Sequence, residues 1–114
     1  KELNLKNTSL YRIMDGSFEP LPSLEVLHLE SSVLAKIEFG RSLFQGLVSL
    51  RKLYLDKCKI SFTDQEAIFA ESPNLQYLSL RENLIVSFGS RNPFLNATGL
   101  VHVDFSKNQI RRKN

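Results

Sequence analysis

A recurring segment opens on leucine at residues 24, 50, 75 and 100, at intervals of 26, 25 and 25 residues, and this period limits the chain to architectures built by stacking. Leu75 to Ile85 reads LQYLSLRENLI and Leu100 to Ile110 reads LVHVDFSKNQI. Leu50 to Ile60, LRKLYLDKCKI, and Leu24 to Leu34, LEVLHLESSVL, keep the same apolar positions, with Cys58 and Ser32 where the others have Asn83 and Asn108. A partial copy precedes them, with Leu3, Leu5, Thr8 and Leu10 at the corresponding places. A second series runs in phase with the first: Phe18, Phe44, Phe69 and Phe94 each lie six residues before the next opening leucine. Random apolar alternation does not hold two series in register.

The residue types explain the architecture. In the L-x-L core of each copy the alternation sends leucines to one face of a short strand and polar residues to the other. No single copy can bury its leucine face, so copies stack with parallel strands and make one continuous core. Strands are expected over 2–6, 26–30, 52–56, 77–81 and 102–106. Asn83 and Asn108 are expected to turn inward after the strand, where an amide satisfies backbone groups of its own turn and of its neighbour. Thr8 and Ser32 do part of this, and Cys58 less. The phenylalanines are expected to stack as a spine under the convex side. Thr63, Asp64, Gln65 and Glu66, ahead of Ala67, Ile68 and Phe69, have capping-box spacing and predict one short helix. Pro20, Pro22, Pro73 and Pro93 fall between strands, as a residue with no amide hydrogen requires.

The pattern L-x-x-L-x-L-x-x-N/C-x-L, with these phenylalanines, resembles leucine-rich repeat proteins over almost the whole chain. The resemblance implies an α/β solenoid: a leucine-rich repeat horseshoe segment of about four and a half repeats, with a parallel concave sheet and irregular convex loops carrying short helical turns. With no polar or cysteine-rich cap in residues 1–114, the array is expected to be an uncapped segment of a longer ectodomain. Its cut ends are expected to associate or to limit solubility.

At 114 residues, 42% hydrophobic and 24% charged, the chain makes one small domain. Lysine and arginine number 15 against 12 acids, but Arg111, Arg112 and Lys113 crowd the terminus and leave the body neutral. The computed pI near 9.2 therefore argues little for a nucleic-acid partner. Arg51, Lys52, Lys57, Lys59 and Arg81 do cluster with tyrosines between them, which keeps such a partner open, while Asp56 and Glu82 dilute the patch. Nothing in the sequence has the layout of a secretion signal or a membrane span, so any membrane attachment is expected outside this chain. The single cysteine, Cys58, closes no disulfide within the chain and builds no zinc site alone. At a ladder position it reads as a buried structural thiol. No serine, histidine and carboxylate assemble into a catalytic set, so no enzyme, metal or cofactor is expected.

Function then falls to the side of the strands opposite the leucines. Its central column is Asn4, His28, Tyr54, Ser79 and Asp104, flanked by Glu2, Val26, Lys52, Tyr77 and His102 and by Lys6, Glu30, Asp56, Arg81 and Ser106. With strands about 4.7–4.9 Å apart, Lys52, Tyr54, Asp56, Tyr77 and Arg81 form one patch of residue types common at protein interfaces. The same residues also suit a merely solvated face. His28 and His102 belong to this face and offer titration below pH 7, and lie three strands apart, too far for one metal ion. Two sequons, Asn7-Thr8-Ser9 and Asn96-Ala97-Thr98, mark glycosylation candidates at Asn7 and Asn96 if the protein is secreted.

Phe94-x-Asn96-x-Thr98-x-Leu100, followed by Ser106-Lys107-Asn108-Gln109-Ile110, resembles the ectodomain repeats of Toll-like receptors. That resemblance implies an innate-immune receptor that binds a microbial or danger ligand at the cell surface or in the endosomal lumen and signals by dimerising. An extracellular adhesion or matrix module and an intracellular scaffold are the alternatives.

Overall fold

The computed structural model describes residues 1–6, 18, 20–31, 44, 46–61, 69–70, 72–87 and 94–109. Five strands, β1 (Glu2–Asn4), β2 (Val26–His28), β3 (Lys52–Tyr54), β4 (Tyr77–Ser79) and β5 (His102–Asp104), form one sheet in chain order. Every pairing is parallel and in strict register, with Leu3, Leu27, Leu53, Leu78 and Val103 aligned across the sheet. The repeat fixes this register, because a slip of one residue would turn the leucines to solvent.

Each strand is three residues long, shorter than the five-residue spans expected. The cause is the turn that follows. Ser31, Lys57, Glu82 and Lys107 occupy equivalent positions with φ of 61°, 55°, 56° and 59°, so the chain leaves the extended conformation as soon as the L-x-L is complete. The outer column of Glu30, Asp56, Arg81 and Ser106 therefore stands on turns.

The core lies on one side of the sheet. Leu27, Leu53 and Leu78 at strand centres, Leu29, Leu55 and Leu80 just after them, and Leu24, Leu50 and Leu75 just before are all buried. Each such leucine contributes about 1.5–3 kcal/mol relative to exposure. Leu3, Leu5, Leu100, Val103 and Phe105 at the two ends are only partly covered, as expected where a stacked neighbour is missing on one side.

The phenylalanine spine forms as expected, with centroids 6.3 Å apart for Phe18–Phe44, 5.8 Å for Phe44–Phe69 and 5.7 Å for Phe69–Phe94. Two successive backbone turns explain its phase with the leucines. The amides of Leu21, Leu47, Ser72 and Ala97 donate to the carbonyls of Phe18, Phe44, Phe69 and Phe94, and three residues later those of Leu24, Leu50, Leu75 and Leu100 repeat the bond. Two three-residue steps make the invariant offset of six.

Asn83 and Asn108 point inward. Asn83 Oδ1 accepts the amides of Cys58 and Ile60 at 2.9 and 3.0 Å, and its Nδ2 donates to the carbonyls of Leu55 and Arg81. Asn108 repeats the motif on Ile85, Leu80 and Phe105. Cys58 is a buried thiol whose Sγ donates to the carbonyl of Leu29 at 3.1 Å, in the place where Asn83 uses Nδ2 on Leu55. Thr8, Ser32, Asn7 and Pro93 lie outside the described residues, as does the expected helix at 63–69 apart from Phe69.

Candidate interaction face

The register places the sequence-derived columns as rows across the concave side: Glu2, Val26, Lys52, Tyr77 and His102 in one, Asn4, His28, Tyr54, Ser79 and Asp104 in the next. Four of the candidate residues form a continuous ladder of rings. His28 stacks on Tyr54 at 4.6 Å with 4° between the planes, and Tyr77 stacks on His102 at 5.1 Å, also at 4°. Tyr54 meets Tyr77 across the diagonal at 5.5 Å and 50°. Each contact lies in the range where aromatic pairs attract. Stacking uses the ring faces and leaves the rims, with the tyrosine hydroxyls, as the presented surface.

Two carboxylates that the columns contained but the candidate patch omitted enclose one end of the ladder. Glu2 Oε2 lies 2.5 Å from Nε2 of His28, and both oxygens of Glu30 lie 3.2 Å from its Nδ1. The signal for them was positional: Glu30 follows His28 by two residues, and Glu2 occupies the adjacent strand.

Asp56 and Arg81 do less at the surface than their types suggest. Asp56 Oδ1 accepts the Ser79 hydroxyl at 2.5 Å and the Arg81 amide at 2.9 Å, which fixes the turn after β4. The Arg81 side chain turns away toward β5, where Nε donates to Ser106 Oγ at 2.9 Å and lies 3.7 Å from Asp104 Oδ2. Lys52 and His102 are exposed beside the half-buried Tyr54 and Tyr77.

Electrostatics divide along the same line. Burial, and then the fields of Tyr77, Glu30, Glu2 and Asp56, hold the Tyr54 hydroxyl above its ordinary pKa of 10.0. The backbone and side-chain hydrogen bonds from Ser106 hold the Asp104 carboxyl below the ordinary 3.8, with Arg81 and His102 adding to the effect.

Of the five bases grouped in the sequence, Lys57 faces Glu82 at 3.8 Å and Arg81 is directed at Ser106 and Asp104, which breaks up the basic patch. Among the described residues, no group of three or more His, Cys, Asp or Glu side chains is arranged to hold a metal. No helix among them is long and apolar enough to cross a membrane. Asn96 is exposed, with φ of 63°, in the turn begun by Phe94.

A stacked parallel sheet, an inward asparagine ladder and a phenylalanine spine define a solenoid interaction module. Residues 1–60 match the leucine rich repeat family, and the chain belongs to it.

Among curated relatives, the chain is 35% identical to lumican of Homo sapiens over 86% of its own length and 27% of lumican's. It is 26% identical to fibromodulin of Oryctolagus cuniculus over 98% of this chain and 88% of that sequence. Among solved structures, its backbone fits Toll in the Drosophila Toll–Spatzle complex with a TM-score of 0.80 at 22% identity, over 95% of this chain and 14% of that one. It fits TLR13 in the TLR13–ssRNA13 complex with a TM-score of 0.68 at 26% identity, over 95% and 17%. The chain thus spans about a quarter of human lumican and less of the two receptors.

Proposed function

We propose that this segment recognises ligand for an innate-immune receptor of the Toll-like type, through its concave face and by promoting receptor dimerisation. The observation that carries the reading is the ring ladder from His28 through Tyr54 and Tyr77 to His102, a run of rigid anchors on a face that is polar elsewhere except at Val26. The Phe94-to-Ile110 motif and the fit to TLR13 over 95% of the chain support the receptor class. The ligand is of microbial or danger origin, met outside the cell or in the endosomal lumen, and Asn96 carries a glycan away from the ladder. The segment binds and does no chemistry.

The alternative, an extracellular adhesion or matrix interaction module, uses the same face and rests on the sequence likeness to lumican and fibromodulin. Light scattering on the full-length ectodomain, with and without a panel of microbial ligands, separates them. A ligand-dependent doubling of mass that Tyr54→Ala and Tyr77→Ala abolish is the expected result. Constant mass across the panel, with capture of a matrix protein by the same face, selects the alternative.

A further inference from the structure

We propose that one rim of the solenoid, built by the segments that follow β3, β4 and β5, docks an extended acidic segment of a protein partner, which lays an apolar side chain on Leu84 and Val86 and carboxylates against Lys59 and Lys107. This rim is a different surface from the ring ladder, and the inference does not rest on the reading of the concave face.

The rim has an alternation of its own. After β3 the side chains of Cys58 and Ile60 are buried while Lys57, Lys59 and Ser61 are exposed, and after β4 Asn83 and Ile85 are buried while Glu82, Leu84 and Val86 are exposed. The outward places level with Leu84 hold Lys59 in the repeat before and Gln109 in the repeat after, and the place level with Val86 holds Ser61. Leu84 and Val86 are nonetheless 57% and 46% exposed. The core place between them is filled by Ile85, so neither serves the packing of its repeat. A lone apolar residue on a surface is ordinary, but two on one edge, where the neighbouring repeats are polar, mark a contact surface.

The backbone holds this edge in place. The Lys57 amide donates to the Arg81 carbonyl at 3.0 Å and the Glu82 amide to that of Ser106 at 3.1 Å. Further out, the Leu84 amide donates to the Ile60 carbonyl at 2.9 Å and the Gln109 amide to that of Ile85 at 3.0 Å. Each rung is tied to the next, so a partner meets a preformed strip and orders little of it on binding.

Charge selects the partner. Lys57 faces Glu82 at 3.8 Å, whereas Lys59 and Lys107, both exposed, make no ion pair among the described residues. The neighbouring aspartates are committed to the concave side: Asp56 Oδ1 accepts Ser79 and the Arg81 amide, and Asp104 Oδ1 accepts the Ser106 amide. The strip therefore presents an apolar pair with an uncompensated cation in the repeat on either side. An acidic chain is drawn to it, while a second copy of this strip would set like charges against each other. A sulfated glycan would neutralise the lysines and leave Leu84 and Val86 in water. Lys59 and Lys107 lie two repeats apart, about 10 Å along the solenoid, which three to four extended residues of about 3.3 Å each would span. The recognised segment thus carries acids three or four residues apart with an apolar residue between them.

The test is a biosensor titration of the full-length ectodomain over an immobilised peptide in which two leucines stand between glutamates. Matched peptides replace the leucines with serine or the glutamates with lysine, and heparin is a further surface. The parent is expected to bind the first peptide best, the serine peptide at least about fivefold more weakly, and the lysine peptide not at all. Leu84→Ser is expected to weaken the first peptide about fivefold. Lys59→Glu combined with Lys107→Glu should weaken it about tenfold and flatten its salt dependence. These side chains point outward, and Glu82 already occupies the same left-handed turn, with φ of 56°, so the variants keep the fold, which circular dichroism checks. Tyr54→Ala should bind the peptide as the parent does. Equal binding of the three peptides, or parental binding by Leu84→Ser, overturns the strip. Heparin binding that the lysine variant loses and Leu84→Ser keeps, with no peptide bound, overturns it in favour of a glycan. Self-association of the ectodomain that Leu84→Ser abolishes, again with no peptide bound, overturns it in favour of a second copy.

Discussion

The side-chain oxygen of Asn83 accepts the backbone amide of Cys58 at 2.9 Å, so a residue of one repeat closes the turn of the repeat before it. The same oxygen takes the Ile60 amide, and the group is buried, with water excluded. Asn83→Ala takes this partner from the Cys58 and Ile60 amides and the Leu55 carbonyl, while the Arg81 carbonyl keeps the Lys57 amide, at about 1–3 kcal/mol for each group that water cannot reach. We expect a loss of roughly 3 kcal/mol after local relaxation, measured as a lower urea midpoint with an unchanged slope.

Gly99 lies close against the backbone of the preceding repeat. A Cβ placed there would stand 2.8 Å from the carbonyl oxygen of Pro73 and 3.1 Å from that of Leu75, both backbone atoms that cannot swing aside. Gly99→Ala is therefore expected to cost about 1–3 kcal/mol, in the manner of overpacking. A melting temperature equal to the parent's would show that the stack spreads freely at this point.

Much of this was legible in the sequence, and for a physical reason. Leu24, Leu50 and Leu75 report stacking because burial acts on them alike, Leu100 keeps the same phase while only partly covered, and the phenylalanines report it again through a fixed pair of turns. The rows of the concave face followed from the period alone, since parallel register carries sequence position directly into space. The direction taken by a long side chain did not follow. Arg81 and Asp56 share a row, yet Asp56 is spent on Ser79 and a backbone amide while Arg81 leans to the next repeat. Nor did the columns reveal the ladder, which changes row between Tyr54 and Tyr77. The strand ends were also missed, because Lys57, Glu82 and Lys107 take left-handed φ without the glycine that usually announces it.

The ladder and its far edge give stability two opposite responses to pH. The Tyr54 hydroxyl is raised above 10.0 by burial and by the acidic groups around it. The fold thus keeps a proton that the unfolded chain releases, and this contribution is whole below pH 10.0 and lost as pH climbs through and above it. Asp104 is depressed below 3.8 by Ser106, so its contribution is present above pH 3.8 and lost as pH falls beneath it. Denaturant titrations across pH should show Tyr54→Phe removing part of the alkaline loss and Asp104→Asn removing part of the acid loss. Either variant with the parent's pH profile would refute the corresponding assignment.

Asn96 tests where the chain works. It stands in the turn begun by Phe94, where the Ala97 amide returns to the Phe94 carbonyl and the exposed side chain is free of the sheet. Its φ of 63° falls where asparagine is among the few tolerated residues, and the equivalent position of an earlier repeat holds Gly46 at 95°. The turn thus favours asparagine on backbone grounds, and Thr98 completes a sequon on a surface that the ring ladder does not use. In a secreting eukaryotic host, Asn96→Gln is expected to remove the mass of one glycan, with ligand binding unchanged. A parent chain whose mass at the Asn96 peptide equals that of the bare sequence would remove the support that glycosylation lends to an extracellular receptor.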